Sequence, residues 1–324
     1  MDQLPYLFVD SVAGAFGTLP DSDSIPEFSD LQWEHAFREH SEKRTAYFFY
    51  LSDCETGIEC GFMESNDLIE MNLESFQDIQ ALDQKYVRIK RIVLVSELSS
   101  ISSDWMNAVK VIPETQFYGF LIKYVISQFQ GSNGKLWLGN NNRESGSKLL
   151  AAVHKQIYFS DIELEHKDEL KEEFLMDQIE NSPHLKRIEL KGTWGQPMLT
   201  PLVDFAKNKI RRVNLSLSNS DLTMDKESMA NFMASWESGA FKTVSVHMHT
   251  TITEEEVNEF LPRLNEETFS ACSPDGSRAI LVIRSNGSLG ITIYTMECAC
   301  GSPKGCRIPA HWRLLWPSSY LETA

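Results

Sequence analysis

An α/β fold built from stacked strand–helix units is what this sequence predicts, and three observations carry it. Five short segments, NGKLWLGN, FSDIELEH, LKRIELKG, IRRVNLSL and FKTVSVHM, alternate apolar and polar residues as half-buried strands do. Their apolar pairs recur almost periodically: Leu136/Leu138, Ile162/Leu164, Ile188/Leu190, Val213/Leu215 and Val244/Val246 are offset by 26, 26, 25 and 31 residues. The gaps hold helix-like stretches, SKLLAAVHK, DELKEEFLMDQIE, MLTPLVDFAKN and KESMANFMASW. Regular alternation of this kind implies parallel strands joined by right-handed crossovers.

A period near 26 residues fits a leucine-rich-repeat-like solenoid, whose units are too small to bury their own faces and stack on their neighbours. Phe159, Leu185, Ile210 and Phe241 stand three places before their pairs and complete an LxxLxL phrase. The competing fold is an open doubly wound sheet, which usually carries longer buried strands and a glycine-rich first turn. Neither feature is visible in the sequence.

Taken from the start, LPYLFVDSVAGAF reads as an amphipathic helix with Phe8, Val12 and Phe16 on one face and Pro5 near its beginning. The polar, proline-broken TLPDSDSIPEFSD follows. LQWEHAFREHSEKR then forms a second helix with Trp33, Phe37 and His40 along one side. AYFFYLS, IECGFM and VRIKRIVLVSE are strand-like and predict a small sheet. FYGFLIKYVISQF, with Phe117, Leu121, Val125 and Phe129 at steps of four, leads into the first repeat strand. After the last repeat strand, Thr253 and Glu256 have the spacing of a capping box. SRAILVIRSNGSLGITIYTME is a hairpin around Asn286-Gly287, residues that tolerate the positive φ of a type I′ turn. The expected organisation is a helical module over 1–45, a mixed bridging region over 46–112, repeats over 113–268, and a hairpin with a cysteine-rich tail over 269–324.

Function enters through what the pattern leaves outside. If the apolar pairs point inward, the residues alternating with them point out from the sheet. These include Trp137, Glu163, Glu165, Arg187, Glu189, Lys191, Arg212, Asn214, Ser245 and His247. Tryptophan and arginine are the commonest anchors of protein interfaces, so this ladder is the expected binding face for a target protein. The alternative is the wet side of a sheet with no partner.

The chain has 324 residues and a formal net charge of −16, from 46 acidic and 30 basic side chains. Such a surface repels nucleic-acid backbones and anionic lipid. The basic cluster KNKIRR at 207–212 reads as a helix end and a strand edge. Apolar runs such as AILVI are far too short to cross a bilayer. The first residues, with Asp2 and Asp10, lack the basic start of a secretory signal, so the expected location is inside the cell, cytoplasmic or nuclear. Thiols there are normally reduced, and six cysteines are too few for a disulfide scaffold.

No catalytic signature is present: there is no GxxxxGK[ST], GxGxxG after a strand, HExxH or GxSxG. The expectation is a protein that is not an enzyme. His247 and His249 share one face of a strand and offer two metal ligands without a third nearby. The stretch CACGSPKGCRIPAH places Cys298, Cys300, Cys306 and His311 in a C-x-C-x5-C-x4-H pattern, a donor set that suits structural zinc. C-x-C is tighter than the usual C-x2-C of zinc knuckles. Inert thiols, with Cys298 and Cys300 continuing a strand, are the competing reading, and a redox role is the third.

The opening MDQLPYLFVDSV, the segment LQWEHAFREHSEKRTAYFF and the later LKRIELKGTWGQPMLTPLVDFA resemble the nematode F-box-like and F-box-associated proteins. The resemblance spans most of the chain and rests on loose apolar patterns. It implies a substrate receptor of an SCF-type ubiquitin ligase, whose N-terminal helices dock on a Skp1-type adaptor while the repeats capture a target protein. Position by position, the family's leading Leu-Pro matches Leu4-Pro5, its following apolar helix matches Phe8, Val9 and Val12, and its late tryptophan matches Trp33. TLPDSDSIPEFSD departs from the leucine-rich central helix of that family. A zinc-stapled scaffold or signalling protein without any ubiquitin machinery is the alternative.

Overall fold

A computed structural model of the chain shows an α/β protein with two compact units, Met1–Leu185 and Lys186–Ala324. It describes residues 5–15, 30–65, 73–95, 109–138, 143–166, 169–208, 212–264, 267–273, 275–284 and 290–297. The division between the units falls inside the 113–268 stretch that the sequence presents as one run of repeats.

The first unit opens with two helices, α1 (Tyr6–Ala15) and α2 (Leu31–Lys43). Asp30 caps α2 by accepting from the Gln32 amide at 2.8 Å, which satisfies one of the donors orphaned at a helix start. Val9, Ala13, Ala36 and Phe37 form a buried cluster, with Tyr6 and Trp33 packed against it. This corrects the expected face of α1, since Phe8 is 48% exposed while Val9 is buried. The short side chains of Ala13 and Ala36 let the helices meet along the Val9/Ala13 stripe, one residue round from the bulkier Phe8/Val12 stripe.

The strands of this unit are β1 (Thr45–Cys54), β2 (Gly57–Glu64), β3 (Leu73–Glu74), β4 (Val87–Leu94), β5 (Lys110–Ile112), β6 (Lys135–Leu138) and β7 (Asp161–His166). β1, β4, β6 and β7 lie side by side and parallel in sequence order. β2 pairs antiparallel with the other edge of β1 and carries β3 and β5. A side chain at Gly57 would overlap the Ile112 carbonyl, so glycine is what lets β5 come in beside the β1–β2 turn. The helices are α3 (Phe76–Ala81), α4 (Ile122–Gln128), α5 (Arg143–Val153) and α6 (Glu169–Asn181). The stretch before α4, which the sequence presents as one helix, contains a π-helical turn over Phe117–Leu121.

By register, Phe62, Phe49, Ile92, Leu136 and Ile162 lie in one row across β2, β1, β4, β6 and β7, and all are buried. Phe159 stacks edge-on to Phe129 and lies near Phe174 of α6, with centroids 4.9 and 6.2 Å apart. Buried polar groups here are met locally. The Gln178 amide accepts from Phe159 N at 2.9 Å and donates to Ile157 O at 3.0 Å, and Ser182 Oγ donates to Phe159 O at 2.9 Å.

The second unit contains β8 (Arg187–Gly192), β9 (Val213–Ser220), β10 (Thr223–Met224), β11 (Val244–Thr250), β12 (Thr268–Cys272), β13 (Arg278–Arg284) and β14 (Gly290–Glu297). β8, β9 and β11 are parallel neighbours in sequence order, and β10 joins the end of β11. β14 then pairs antiparallel with β11, followed by β13 and β12. The predicted hairpin is thus β13–β14, while its Asn286-Gly287 turn lies outside the described residues. The helices are α7 (Leu199–Asn208), α8 (Lys226–Glu237) and α9 (Glu254–Phe260). α9 opens with the capping box expected of Thr253 and Glu256, and Asp225 caps α8 through Ser228 N at 2.8 Å.

All ten paired apolar positions, from Leu136 to Val246, are buried. The opposite sheet face is less uniform than alternation implies. In the first unit it carries buried Tyr50, Met63 and Val93, with Phe48, Val95 and Val109 against them. In the second it carries Ala279 and Leu281, with Cys272, Ile283, Tyr294 and Met296 around them.

Candidate recognition surfaces

In the first unit the predicted face survives as a strip on β6 and β7. Trp137 is 39% exposed and lies between Val93 of β4 and Glu163 of β7 in the strand register. Glu163 and Glu165 are partly exposed beside it. Alternation puts Trp137 on the outer face of the short β6, where its indole stays partly uncovered. An exposed tryptophan with a glutamate beside it in register is suited to a basic or amphipathic peptide segment.

In the second unit Arg187, Glu189 and Lys191 follow one another on β8. Arg187 Nη2 lies 3.1 Å and Lys191 Nζ 3.6 Å from Glu189 carboxylate oxygens. Arg212 is exposed and Asn214 partly so. Two members of the ladder depart from expectation. Ser245 is buried, because its neighbour Tyr294 on β14 belongs to the apolar cluster on that face. His247 is partly covered, with Nδ1 2.8 Å from Thr292 Oγ1, and burial followed by the nearby His249 lowers its pKa. A neutral, half-covered imidazole of this kind is a sheet residue more than a contact anchor. No group of three or more His, Cys, Asp and Glu side chains gathers as a metal site among the described residues. Cys298, Cys300, Cys306 and His311 lie outside them.

The second surface is the N-terminal helix pair. Leu4 lies outside the described residues, Pro5 is exposed, Val12 and Trp33 are partly buried, and Val9 is shut inside the cluster. Val9 is therefore a structural residue and not a docking contact. Leu7, Phe8 and Leu31 are exposed to 76%, 48% and 78%. Leu7 and Leu31 are the members of this apolar set that no sequence motif singled out.

What holds the pair in place was also silent in the sequence, because a glutamate in mid-helix normally reads as a solvated residue. Glu39 accepts from Tyr86 Oη at 2.5 Å and from Tyr6 Oη at 2.7 Å, and Lys43 Nζ lies 3.0 Å away. The Tyr86 hydroxyl, then the Tyr6 hydroxyl and the Lys43 ammonium, pull its pKa down to about 2. His40, buried in the same region, has Nε2 3.0 Å from Asp10 Oδ1 and Nδ1 3.4 Å from Arg44 Nη2. Lys85 Nζ reaches Asp10 at 2.9 Å. These contacts tie α1 and α2 to each other and to the start of β4.

No protein-family model, curated protein or solved structure matches the chain. Among the described residues no helix is long and apolar enough to cross a membrane.

Proposed function

We propose that the protein is a non-enzymatic recognition protein that captures a target protein on its strand face, in the manner of a leucine-rich-repeat-like solenoid. The observation that carries this reading is Trp137, a large anchor-type side chain held exposed on a short parallel strand whose inward neighbours are fully buried. The sequential order of β1, β4, β6 and β7, and of β8, β9 and β11, supports the solenoid in each unit. Rigid strands present such anchors with little loss of side-chain entropy on binding.

The exposed Leu7, Phe8 and Leu31 support the further reading that the helix pair docks on a Skp1-type adaptor, which would make the chain a substrate receptor of an SCF-type ubiquitin ligase. The two roles are tested together by affinity capture. The full chain is offered to Skp1-type adaptors and to a lysate, beside Phe8→Asp and the double variant Trp137→Ala/Arg187→Ala. The expected result is adaptor capture lost only in Phe8→Asp, and target capture lost only in the double variant. Failure of the wild-type chain to hold any adaptor would remove the ligase role. Capture of the same targets by the double variant would remove the strand face as the binding surface.

A further inference from the structure

Beside the helix pair, the first unit contains an open cavity of about 690 Å³ that shares only Val12 with the two recognition surfaces. Its walls come from the end of α1 (Val12, Gly14), from Arg88 of β4, from the end of α4 and the turn after it (Ser127 to Ser132), and from His184. Arg88 donates from Nη1 to Val87 O at 2.6 Å and from Nη2 to Gly14 O at 3.0 Å. Carbonyls satisfy those hydrogens without neutralising the charge, and among the described residues no carboxylate pairs with this guanidinium. Arg44 lies near enough to be affected by it: burial first, and then Arg88, pull the Arg44 pKa down to about 10. Positive charge is therefore concentrated at this wall of a strongly acidic protein.

The facing wall has a second peculiarity. Gln130 is 6% exposed, and among the described residues neither its Nε2 nor its Oε1 has a hydrogen-bond partner; Ser132 Oγ is likewise unpartnered there. A buried amide left unpaired is destabilising, and most such groups in folded proteins find partners. The contrast with Gln178 in the same unit is direct, since that amide is fully buried and bonded at both ends. Tyr118 Oη and Trp236 Nε1 are also unpartnered, but each is a single atom. Around this cavity three such atoms belong to wall residues next to a cation that no described carboxylate pairs with. Gly131 keeps the wall close: a side chain there would meet Tyr158 O at 2.9 Å and the His184 ring at 3.4 Å.

We propose that this cavity binds a small hydroxylated anion. Its anionic oxygens accept from Arg88, Ser132 Oγ and Gln130 Nε2, and its hydroxyl donates to Gln130 Oε1. The hydroxyl is demanded by Oε1, which an all-acceptor anion leaves unpaired. The cation calls for the negative charge, and charge-assisted bonds of this type are the stronger ones. Carboxylate and phosphate share this chemistry, and the cavity admits either.

The test is isothermal titration of the full chain with L-malate, succinate and glycerol 3-phosphate. Malate and succinate differ by one hydroxyl, so malate binding about tenfold or more tightly is expected if Oε1 takes that proton. Tighter binding of glycerol 3-phosphate than of malate would identify a phosphate source, and the reverse a carboxylate source. Gln130→Leu removes the unpaired amide. It is expected to melt no lower than wild type without ligand, and to lose about tenfold or more in affinity. Ser132→Ala, a smaller change, repeats the test should the leucine disturb packing. Absence of binding by all three probes at millimolar concentration, equal binding of malate and succinate, or unchanged affinity in both variants would overturn the proposal.

Discussion

Leu136 and Trp137 are adjacent in the chain and opposite in consequence. Leu136 and its counterpart Ile188 are each buried in the row that closes the sheet of their own unit, whereas Trp137 is 39% exposed. A charge at either buried position has no partner and no water, and such substitutions belong to the most destabilising class, at about 4 kcal/mol or more. Leu136→Asp and Ile188→Asp are therefore expected to unfold their units in urea well below the wild-type midpoint, read by far-UV circular dichroism. Trp137→Ala is expected to stay within about 1 kcal/mol of wild type, as surface changes do. Wild-type midpoints for the aspartates would contradict the inward assignment. These positions were legible in the sequence because alternation along a strand is a local property. Ser245 and Val9 were not, and for one reason: each is covered by a neighbour the local pattern does not contain. Tyr294 of β14 lies beside Ser245 from far along the chain, and Val9 is enclosed by a cluster that includes Phe37 of α2.

The α1–α2 pair shows how an element's attachment depends on protonation. With His40 neutral, Nε2–H donates to Asp10 and Nδ1 accepts from Arg44. A second proton would occupy Nδ1 and point it at the Arg44 guanidinium, with Lys85 also near. Burial, the largest influence, already holds the His40 pKa below its usual 6.5 despite Asp10. Between that ordinary value and the lower folded one, the unfolded chain binds a proton that the folded chain does not. Stability therefore falls as pH drops below about 6.5 and stops falling beneath the folded pKa. Glu39 acts lower down. Its pKa is about 2 when folded against an ordinary 4.5, so its contribution is present above 4.5 and is lost as pH falls towards 2. The helix pair is expected to loosen in two stages, followed by near-UV circular dichroism of Trp33 and Tyr86. His40→Asn should abolish the stage that begins below about pH 6.5 and leave the Glu39 stage below 4.5. A signal whose pH dependence below 6.5 is the same in the wild type and in His40→Asn would show that His40 does not gate this attachment. The helices themselves could be read from apolar spacing. Their fastening could not, because Glu39, Tyr86 and His40 are brought together only by the fold.

At the scale of the whole chain, the legible features were the alternation of strands and helices and the excess of acid. The parallel order inside each unit follows from the first, since short strands separated by helices return to the same side of the sheet. The break between Leu185 and Lys186 did not show, because the repeat period runs through it unchanged, and Pro183 and the Lys186-Arg187 pair beside it read as an ordinary turn into the next strand. The acid excess makes a prediction of its own. A formal charge of −16 repels itself in the compact state, and that repulsion acts over distances that salt screens, about 8 Å at physiological ionic strength. Salt also weakens attractive pairs, such as Lys148 between Glu114 and Glu144, or Lys226 with Glu256 and Glu259. Those pairs are solvent-exposed, where water and salt weaken each of them, while the repulsion sums over the whole surface. The repulsive sum should therefore dominate, and Tm at pH 7 is expected to rise as sodium chloride is raised from low to moderate concentration. Chloride is preferred to sulfate for this measurement, because sulfate strengthens apolar burial independently of charge. A Tm that falls with added chloride would reverse the order of the two effects and make the lysine-centred pairs the larger electrostatic contribution to stability.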